Sequence, residues 1–328
     1  MQIGPVNPIE RVVVVAEIGN NHEGDPEVAH RLVEAAAAAG ADAVKLQVYR
    51  VESFVRRQDP ERYQRMARFQ LDPAAVAGVA ERARSLGLAV IATPLDLASV
   101  EVVEPLVDAF KIASGDNDFE ALLRAVARHG RPVILSSGMS NLSILERAAE
   151  ILRPCLLAVL QCTSAYPASP AEVNLAAIPL LAERLNAVAG YSDHTLGLEA
   201  CVTAVAAGAR LIEKHFTLDK GFSDYRDHAL SADPADLRGL VRRIREVEQL
   251  LGQRAKEVQP GEQETLVAAR RSIVAVRPLV ASHTLELQDL TWLRPRDGLP
   301  PGEEARVVGR RLRRDVEAGE PITAEIVD

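Results

Sequence analysis

The chain has 328 residues, of which 48% are hydrophobic and 26% charged, and its formal net charge is −8. This is the composition of an ordinary globular protein with a sizeable core, and the negative charge argues against nucleic acid or an anionic membrane surface as a partner. The three cysteines form no CxxC motif, and the aliphatic run at residues 12–16 is too short for a signal sequence or a membrane span. We therefore expect a cytoplasmic protein that folds without disulfides.

Short apolar strands and amphipathic helices alternate from the start of the chain. The first strand, at residues 12–15, precedes a helix with Asp25 as its N-cap, Pro26 in its first turn and Gly40 as its C-cap. The second strand, DAVKLQVY, precedes a helix that begins at Asp72. The strands LAVIATP and AFKIASG follow, each with a helix behind it.

The same alternation continues through four further strands, PVILSSG, CLLAVLQCT, AVAGYSD and ARLIEKHF. Continuous apolar strands are typical of a parallel sheet that is buried on both faces. Eight strand-helix units predict an α/β fold, a (β/α)₈ TIM barrel over residues 1–252. The alternative is an open doubly wound sheet, which is disfavoured because no dinucleotide-binding fingerprint follows the first strand.

The pattern changes after Gly252. Residues 253–271 are polar and are interpreted as a linker. From Ser272 the chain breaks into short β-prone pieces, SIVAVRPL, TLELQDLTWLRP, ARVVGRRL and ITAEIV. We predict a small C-terminal β-rich domain over residues 272–328, too small for a catalytic site of its own and suited to act as a lid or an assembly module.

Two lysines interrupt otherwise apolar strands. Lys45 lies in the second strand and Lys111 in the fourth, and a lysine inside a barrel requires an anion or a shifted pKa. Reacting groups of a barrel come from the carboxyl ends of its strands, where Ser114 and Ser136 also fall. The pattern favours a cradle for phosphate and carboxylate groups; the alternative is a pair of lysines that reach solvent.

Two histidines and several carboxylates fall at the same strand ends. His194 and His215 are one βα unit apart, so they lie on adjacent strands about 4.8 Å apart and both can reach one metal ion. An open site of that kind suits a Mn²⁺-like ion, and the alternative is two hydrogen-bonded histidines without a metal. The carboxylates at these ends are Glu17, Asp116, Glu213 and Asp227, and acid-base work, binding of substrate hydroxyls and a purely structural role remain open for them.

Several motifs, in order along the chain, resemble the sialic acid synthases, which include the N-acetylneuraminate, legionaminate and pseudaminate synthases. These motifs are AEIGNNHEGD, GADAVKLQ, FKIASGD, LSSGMS, QCTSAYPASPAEVNL, GYSDHTLG and EKHFTLD. The segment SIVAVRPLVASHTLELQDLTWLRPRDGL resembles that family's C-terminal antifreeze-like (SAF) domain.

The resemblance implies a role for each candidate residue. The implied phosphoenolpyruvate-binding residues are Lys45, Thr93, Lys111, Ser114, Ser136 and Ser192, with Ser164 standing where the family commonly has asparagine. The implied metal ligands are His194 and His215, with Mn²⁺ expected and Mg²⁺ or Co²⁺ as alternatives. The implied catalytic residues are Glu17, Asp116, Tyr166 and Glu213. The implied sugar-binding residues are Gln47, Tyr166, Asp227 and Arg294.

The resemblance also implies a domain-swapped homodimer, in which Arg294 of one subunit enters the barrel of the other. The chain departs from the family on the sugar side. The segment SDYRDH replaces the frequent PGPDH, which affects the placement of Asp227, and residues 51–71 are unlike the longer sialate pattern.

The function expected from these features is condensation of phosphoenolpyruvate with an N-acetylated amino-hexose, giving a sialic-acid-like sugar and phosphate. A Schiff-base aldolase using Lys45, Lys111 or Lys214 is the first alternative. A catalytically inactive sugar-binding protein of the same fold is the second. The identity of the amino sugar, and whether it is phosphorylated, stays open at this stage.

Overall fold

Eight parallel strands close into a barrel in the computed structural model, which describes residues 2–328. Each strand pairs with the next, and the last pairs with the first through Glu17 and His215. The predicted (β/α)₈ barrel is confirmed. The strands are β1 (Val13–Gly19), β2 (Ala43–Val48), β3 (Ala89–Pro94), β4 (Ala109–Ile112), β5 (Val133–Ser136), β6 (Leu156–Cys162), β7 (Val188–Asp193) and β8 (Leu211–His215).

Helices connect the strands. Those preceding residue 130 are α1 (Pro26–Ala39), α2 (Val51–Phe54), α3 (Pro60–Phe69), α4 (Pro73–Ser85), α5 (Leu97–Val103) and α6 (Glu120–Ala127). Those that follow are α7 (Leu142–Leu152), α8 (Ala177–Leu185), α9 (Glu199–Ala206), α10 (Arg226–Leu230), α11 (Pro234–Leu251) and α12 (Gln263–Ala269). The predicted caps of α1 are confirmed: the Asp25 side chain accepts hydrogen bonds from two backbone N–H groups, and Gly40 has a left-handed φ of 91°.

The inward-facing side chains change character along each strand. Near the amino ends they are apolar, as in Val13 and Val15 of β1 and Leu211 of β8. Two residues further on, the same face carries Glu17 on β1 and Glu213 on β8. The barrel interior is therefore dry at its amino end and polar at its carboxyl end, where catalysis occurs in this fold.

A short hairpin outside the sequence prediction covers the amino end of the barrel. Ile3 and Val6 exchange two backbone hydrogen bonds of 2.8 and 3.0 Å. Their side chains are buried in the same apolar cluster as the inward-facing residues of the strands. The hairpin thus closes the barrel interior from that side.

Two other segments differ from the sequence prediction. Residues 51–71, left without helices by the sequence interpretation, contain α2 and α3. The segment 253–271, interpreted as a linker, contains a 3₁₀ turn and the helix α12. The chain divides into the units Met1–Gly252 and Gln253–Asp328.

The second unit is built on a small antiparallel sheet of β9 (Ser272–Ala275) and β10 (Leu290–Leu293). The Ser272 hydroxyl accepts hydrogen bonds from the backbone N–H groups of Asp297 and Gly298, both at 2.9 Å. A Cβ atom at Gly298 would lie 2.8 Å from Cβ of Pro321, so only glycine fits this turn. The predicted small β-rich domain is confirmed. Among residues 2–328, no helix has the length and apolarity needed to cross a membrane.

Candidate active site

The carboxyl end of the barrel holds a buried group of two lysines and two glutamates, here called the lysine–glutamate cluster. It consists of Lys45, Lys111, Glu17 and Glu213, each at most 5% exposed. The strand register explains the grouping, because Glu17 lies beside Lys45 on β2, and Val15, two residues before it, lies beside Glu213 on β8. Buried lysines and glutamates can remain charged only when cations and anions pair with one another.

Glu213 lies between the two lysines. Its Oε1 accepts hydrogen bonds from Lys45 Nζ at 3.0 Å and from the Ser192 hydroxyl at 2.9 Å. Its Oε2 lies 3.5 Å from Lys111 Nζ. Burial alone would raise the pKa of Glu213, but Lys111 and Lys45 outweigh burial and hold that pKa well below its usual value. Glu213 is therefore an anion that is shared between the two lysines.

Glu17 is the less compensated carboxylate. Its Oε1 accepts a 2.8 Å hydrogen bond from Gln47 Nε2 and lies 3.5 Å from Lys45 Nζ. Among the described residues its buried Oε2 has no hydrogen-bond partner. Burial raises the pKa of Glu17 to about 7, with Lys45 opposing the shift. A carboxyl group with such a pKa can give or take a proton at neutral pH.

The pKa values of the two lysines are shifted in opposite directions. Burial would lower the pKa of Lys45, but Glu17 and Glu213 outweigh it and raise that pKa above its usual value. Burial lowers the pKa of Lys111 to about 8, and the neighbouring Lys45 adds to the effect. Lys111 Nζ also donates a 2.7 Å hydrogen bond to the Ser136 hydroxyl. Ser136 and Ser192 therefore extend the cluster with hydroxyl groups.

Two of the remaining predicted phosphoenolpyruvate residues, Ser114 and Ser164, lie close against Gly138. Ser114 Oγ accepts a 3.1 Å hydrogen bond from Gly138 N–H. A Cβ atom at Gly138 would collide with the hydroxyl of Ser164 and would lie 2.7 Å from that of Ser114. Thr93 Oγ1 is buried and has no hydrogen-bond partner within residues 2–328. These hydroxyls are available to an anionic ligand.

The two predicted metal ligands are neighbours. The rings of His194 and His215 have centroids 5.3 Å apart, and Tyr166 stacks on His194 at 4.2 Å. His194 Nδ1 lies 2.9 Å from the carbonyl oxygen of Thr163, which only accepts, so Nδ1 carries the proton and Nε2 is free. Burial lowers the pKa of His215 well below its usual value, which favours the neutral ring.

A divalent ion fits this histidine pair. The buried Nδ1 of His215 has no hydrogen-bond partner in the described chain, and neutral imidazole is a ligand of transition metals. Within residues 2–328, no group of three or more His, Cys, Asp or Glu side chains is placed to hold an ion. The pair therefore supplies two protein ligands, and water or substrate oxygens would complete the shell.

A cavity of about 880 Å³ opens beside these histidines. Its wall includes the predicted residues Gln47, Tyr166, Asp227 and His215. Asp227 Oδ1 is buried without a hydrogen bond from any residue that the structure describes, and lies 3.4 Å from Arg226 Nε. The predicted sugar-binding residues of the barrel thus line one cavity next to the lysine–glutamate cluster.

Two predicted residues are not brought into this group. Asp116 lies in a 3₁₀ turn (Ser114–Asp116) and forms no hydrogen bond or ion pair with the described residues of the cluster. Burial raises the pKa of Asp116 to about 6, and the nearby Asp118 adds to that shift. Arg294 is exposed on the second unit.

Sequence reasoning missed two features around the histidines. Lys214 Nζ forms a 2.7 Å ion pair with Asp193, and both side chains are at most 1% exposed. Lys214 thus lies on the outer face of β8, since its neighbours Glu213 and His215 point inward. Cys162 Sγ lies 3.8 Å from His194 Nδ1. The alternation of inward and outward side chains along β8 could have revealed that Lys214 faces outward. The proximity of Cys162 to His194 depends on strand register.

Comparisons with known proteins agree with the geometry. The NeuB family model matches residues 32–256, and the SAF domain model matches residues 270–327. An uncharacterized protein of Methanocaldococcus jannaschii is 41% identical, over 94% of this chain and 92% of its own. The N,N'-diacetyllegionaminic acid synthase of Legionella pneumophila is 35% identical, over 96% of this chain and 94% of its own.

Among solved structures, the N-acetylneuraminic acid (sialic acid) synthetase of Leptospira borgpetersenii, crystallised with citrate, matches with a TM-score of 0.77 at 33% identity. The match covers 81% of this chain and 94% of that chain. The resemblance carried by the sequence motifs is confirmed: the chain belongs to the NeuB family, the family of the sialic acid synthases, and carries a SAF domain.

Proposed function

We propose that this enzyme condenses phosphoenolpyruvate with the open-chain aldehyde of an N-acetylated amino-hexose, giving a sialic-acid-like nonulosonic acid and phosphate. The observation that carries the proposal is the lysine–glutamate cluster. The cluster brings two buried lysines together with the hydroxyls of Ser136 and Ser192. Gln47, which donates a hydrogen bond to Glu17 of the cluster, lines the cavity together with His215. Family membership and the legionaminic acid synthase relative support the same reaction class.

The lysines and hydroxyls bind phosphoenolpyruvate. Lys45 and Lys111 pair with its phosphate and carboxylate, and the hydroxyls of Ser114, Ser136 and Ser164 donate to the same groups. C3 of phosphoenolpyruvate then forms the new bond to the aldehyde carbon. The aldehyde oxygen becomes a hydroxyl, and Glu17, whose pKa is raised to about 7, supplies its proton.

Water then completes the reaction. It adds at C2, and the tetrahedral intermediate loses phosphate by cleavage of the bond between C2 and the bridging oxygen. The electron pair of that bond leaves with phosphate, and loss of the hydroxyl proton gives the 2-keto acid. Gln47, Tyr166 and Asp227 hold the sugar in the cavity while this occurs. Glu213 pairs with both lysines until the substrate anion arrives.

We propose that His194 and His215 hold a divalent ion, with Mn²⁺ expected and Mg²⁺ or Co²⁺ as alternatives. A bound ion of this kind polarises a carbonyl group. We expect His194→Ala and His215→Ala each to lose bound metal, measured by elemental analysis of the purified protein, and to lose turnover while keeping the wild-type melting temperature. Full activity after exhaustive chelation would contradict this assignment.

The proposed reaction is tested by phosphate release. Phosphoenolpyruvate is offered with a panel of 2-acetamido and 2,4-diacetamido hexoses, with free mannose as the control. Phosphoenolpyruvate labelled with ¹⁸O at the bridging oxygen should give labelled phosphate. Release of unlabelled phosphate, or none with any acetamido sugar, would rule the mechanism out.

The structure gives less support to the Schiff-base alternative than the sequence does. Lys214 is held by Asp193 on the outer face of its strand, and Lys45 faces two carboxylates that keep it protonated. Lys111 remains as the candidate for this chemistry, since burial lowers its pKa to about 8. Borohydride trapping of a substrate adduct would favour this alternative, and sugar binding without turnover would favour an inactive protein.

We also propose a cytoplasmic homodimer in which Arg294 closes the sugar cavity of the partner subunit. The phosphoenolpyruvate chemistry and the three unpaired buried cysteines suit a reducing compartment. Arg294 is exposed on a unit too small for a site of its own, so it is free to act on another surface. An isologous dimer would make two equal contacts of this kind.

A further inference from the structure

A row of arginines lines the wall of the sugar cavity. Helix α3 carries Arg62, Arg65 and Arg68 at intervals of three residues, which places them on one side of the helix. All three line the cavity, and Met66 and Phe69 are buried to hold the helix in place. We call Arg62, Arg65 and Arg68 the arginine row.

Only one member of the row is paired with a carboxylate. Arg68 lies 3.5 Å from Glu23 Oε2. The Arg62 guanidinium lies over the Phe54 ring, 5.8 Å from its centroid. Within residues 2–328, neither Arg62 nor Arg65 forms an ion pair with a carboxylate. An aromatic contact leaves the edge of a guanidinium free for hydrogen bonds.

The other charges of the wall do not satisfy these two arginines. The wall has three carboxylates, Glu23, Asp224 and Asp227. Glu23 pairs with Arg68, and Asp227 pairs with Arg226 at 3.4 Å. Asp224 is exposed and forms no ion pair with the described arginines. Arg62 and Arg65 therefore present two positive charges to whatever occupies the cavity.

The row is held close to the reaction centre. Asn20 Nδ2 donates a 3.1 Å hydrogen bond to Gln47 Oε1. The Tyr49 hydroxyl lies 3.3 Å from Asn20 Oδ1 and 3.1 Å from the carbonyl oxygen of Met66 in α3. Two side chains, Tyr49 and Asn20, thus connect the helix of the row to Gln47. Gln47 and Arg65 line the same cavity, so a ligand in that cavity lies between them.

We propose that the acceptor sugar of this enzyme carries an anionic group at the end remote from its aldehyde, and that Arg62 and Arg65 bind that group. The orientation rests on the proposed function, which places the aldehyde beside His215. A phosphate monoester and a carboxylate share the required chemistry, because both accept paired hydrogen bonds from guanidinium groups. The segment that carries the row, residues 51–71, is one of the segments that depart from the family pattern.

The test is calorimetric titration of three sugars into the full-length enzyme. They are N-acetylmannosamine, its 6-phosphate and the corresponding 6-carboxylate. We expect one of the anionic sugars to bind at least about tenfold more tightly than the neutral sugar, as charge-assisted hydrogen bonds imply. The anionic sugar that binds more tightly than the neutral sugar shows whether the anionic group of the acceptor is a phosphate or a carboxylate.

Variants assign the preference to the row. Arg62→Gln/Arg65→Gln should abolish it, whereas Arg56→Gln/Arg57→Gln, which removes two charges from outside the cavity wall, should keep it. Equal binding of all three sugars by the wild-type enzyme would overturn the proposal. So would a preference that survives in Arg62→Gln/Arg65→Gln, because the anion would then be bound by other residues, such as the lysines.

Phosphate release from phosphoenolpyruvate, measured with the same sugars, separates this proposal from the proposed function. A binding preference that depends on the row, without turnover of any sugar, would support the subsite and contradict the synthase reaction. Turnover with the neutral sugar as efficient as with both anionic ones would support the synthase and overturn the subsite.

Discussion

At the scale of single residues, the inner end of the site is a balance of two cations and two anions. Glu213 holds Lys45 and Lys111 in the free enzyme, and Glu17 is the least compensated member. A substrate with two anionic groups can pair with the two lysines. The hydroxyl groups around the cluster can donate hydrogen bonds to the same anionic groups. The two lysines should therefore govern affinity for phosphoenolpyruvate and leave affinity for the sugar largely unchanged.

We expect Lys45→Met and Lys111→Met each to weaken phosphoenolpyruvate binding about tenfold or more, since a hydrogen bond to a charged group contributes roughly 1.5–3 kcal/mol. Titration calorimetry measures the Kd for phosphoenolpyruvate, and steady-state kinetics give the KM for the sugar. Lys256→Met removes the same charge from an exposed position and should change neither. A change confined to the KM for the sugar would show that the lysines were assigned to the wrong substrate.

The lowered pKa of Lys111, about 8, predicts a pH effect. Proton loss above that pH removes a positive charge from the free enzyme, so kcat/KM for phosphoenolpyruvate should fall as pH rises from about 7 to 10. Loss of the Glu17 proton, which the proposed reaction requires, acts in the same direction. Bound substrate anions favour the protonated forms of both groups, so the fall in kcat at saturation should begin at a higher pH than the fall in kcat/KM. Melting temperatures over the same range would exclude unfolding, and a kcat/KM that rose through this range would refute the assignment.

At the scale of elements, the ends of β7 and β8 are joined behind the two histidines. Asp193 accepts hydrogen bonds from Lys214 Nζ at 2.7 Å and from the Tyr191 hydroxyl at 2.9 Å. Cys201 of α9 also donates to Asp193. Cys201 places this network between the barrel and α9, next to the main apolar core. It therefore fixes the two strand ends that carry His194 and His215.

Breaking this network should destabilise the fold. Asp193→Asn leaves Lys214 buried without its counter-ion, and loss of one partner of a buried pair costs about 3–5 kcal/mol. Denaturant unfolding measures the change in the free energy of unfolding. Asp236→Asn, which breaks the partly exposed pair with Lys220, is the matched control and should cost about 1 kcal/mol or less. Equal effects in the two variants would show that the buried pair has no special role.

Particular elements show why sequence predicts part of this fold and not the rest. The barrel strands are recognisable because they are apolar on both faces, and the site residues because they interrupt that pattern at strand ends. Helix α3 was missed because four of its ten residues are charged and it buries only Met66 and Phe69. The position of Glu213 between two lysines depends on the register with which β8 closes on β1, which no local pattern specifies.

At the scale of the whole molecule, the open question is what the second unit contributes to catalysis. Deleting residues 272–328 should leave the barrel folded and abolish efficient synthesis if Arg294 closes a sugar cavity. The barrel has its own apolar core, so its folding does not require the second unit.

Complementation tests whether Arg294 acts on the partner subunit. Mixing an Arg294→Ala chain with a His215→Ala chain should restore part of the activity, because one of the two composite sites in each heterodimer would keep both residues. Subunit exchange is verified beforehand by mass spectrometry. A mixture as inactive as its parents would show that Arg294 acts within its own chain or has no role in the reaction.

The hairpin of Ile3 and Val6 has a kinetic consequence. Because it covers the amino end of the barrel, the approach to the lysine–glutamate cluster is from the carboxyl end. Under the proposed reaction, phosphoenolpyruvate binds at the inner end and the sugar binds above it. A sugar that arrived first would obstruct that approach. We therefore expect the enzyme to take up its substrates in a compulsory order, with phosphoenolpyruvate first.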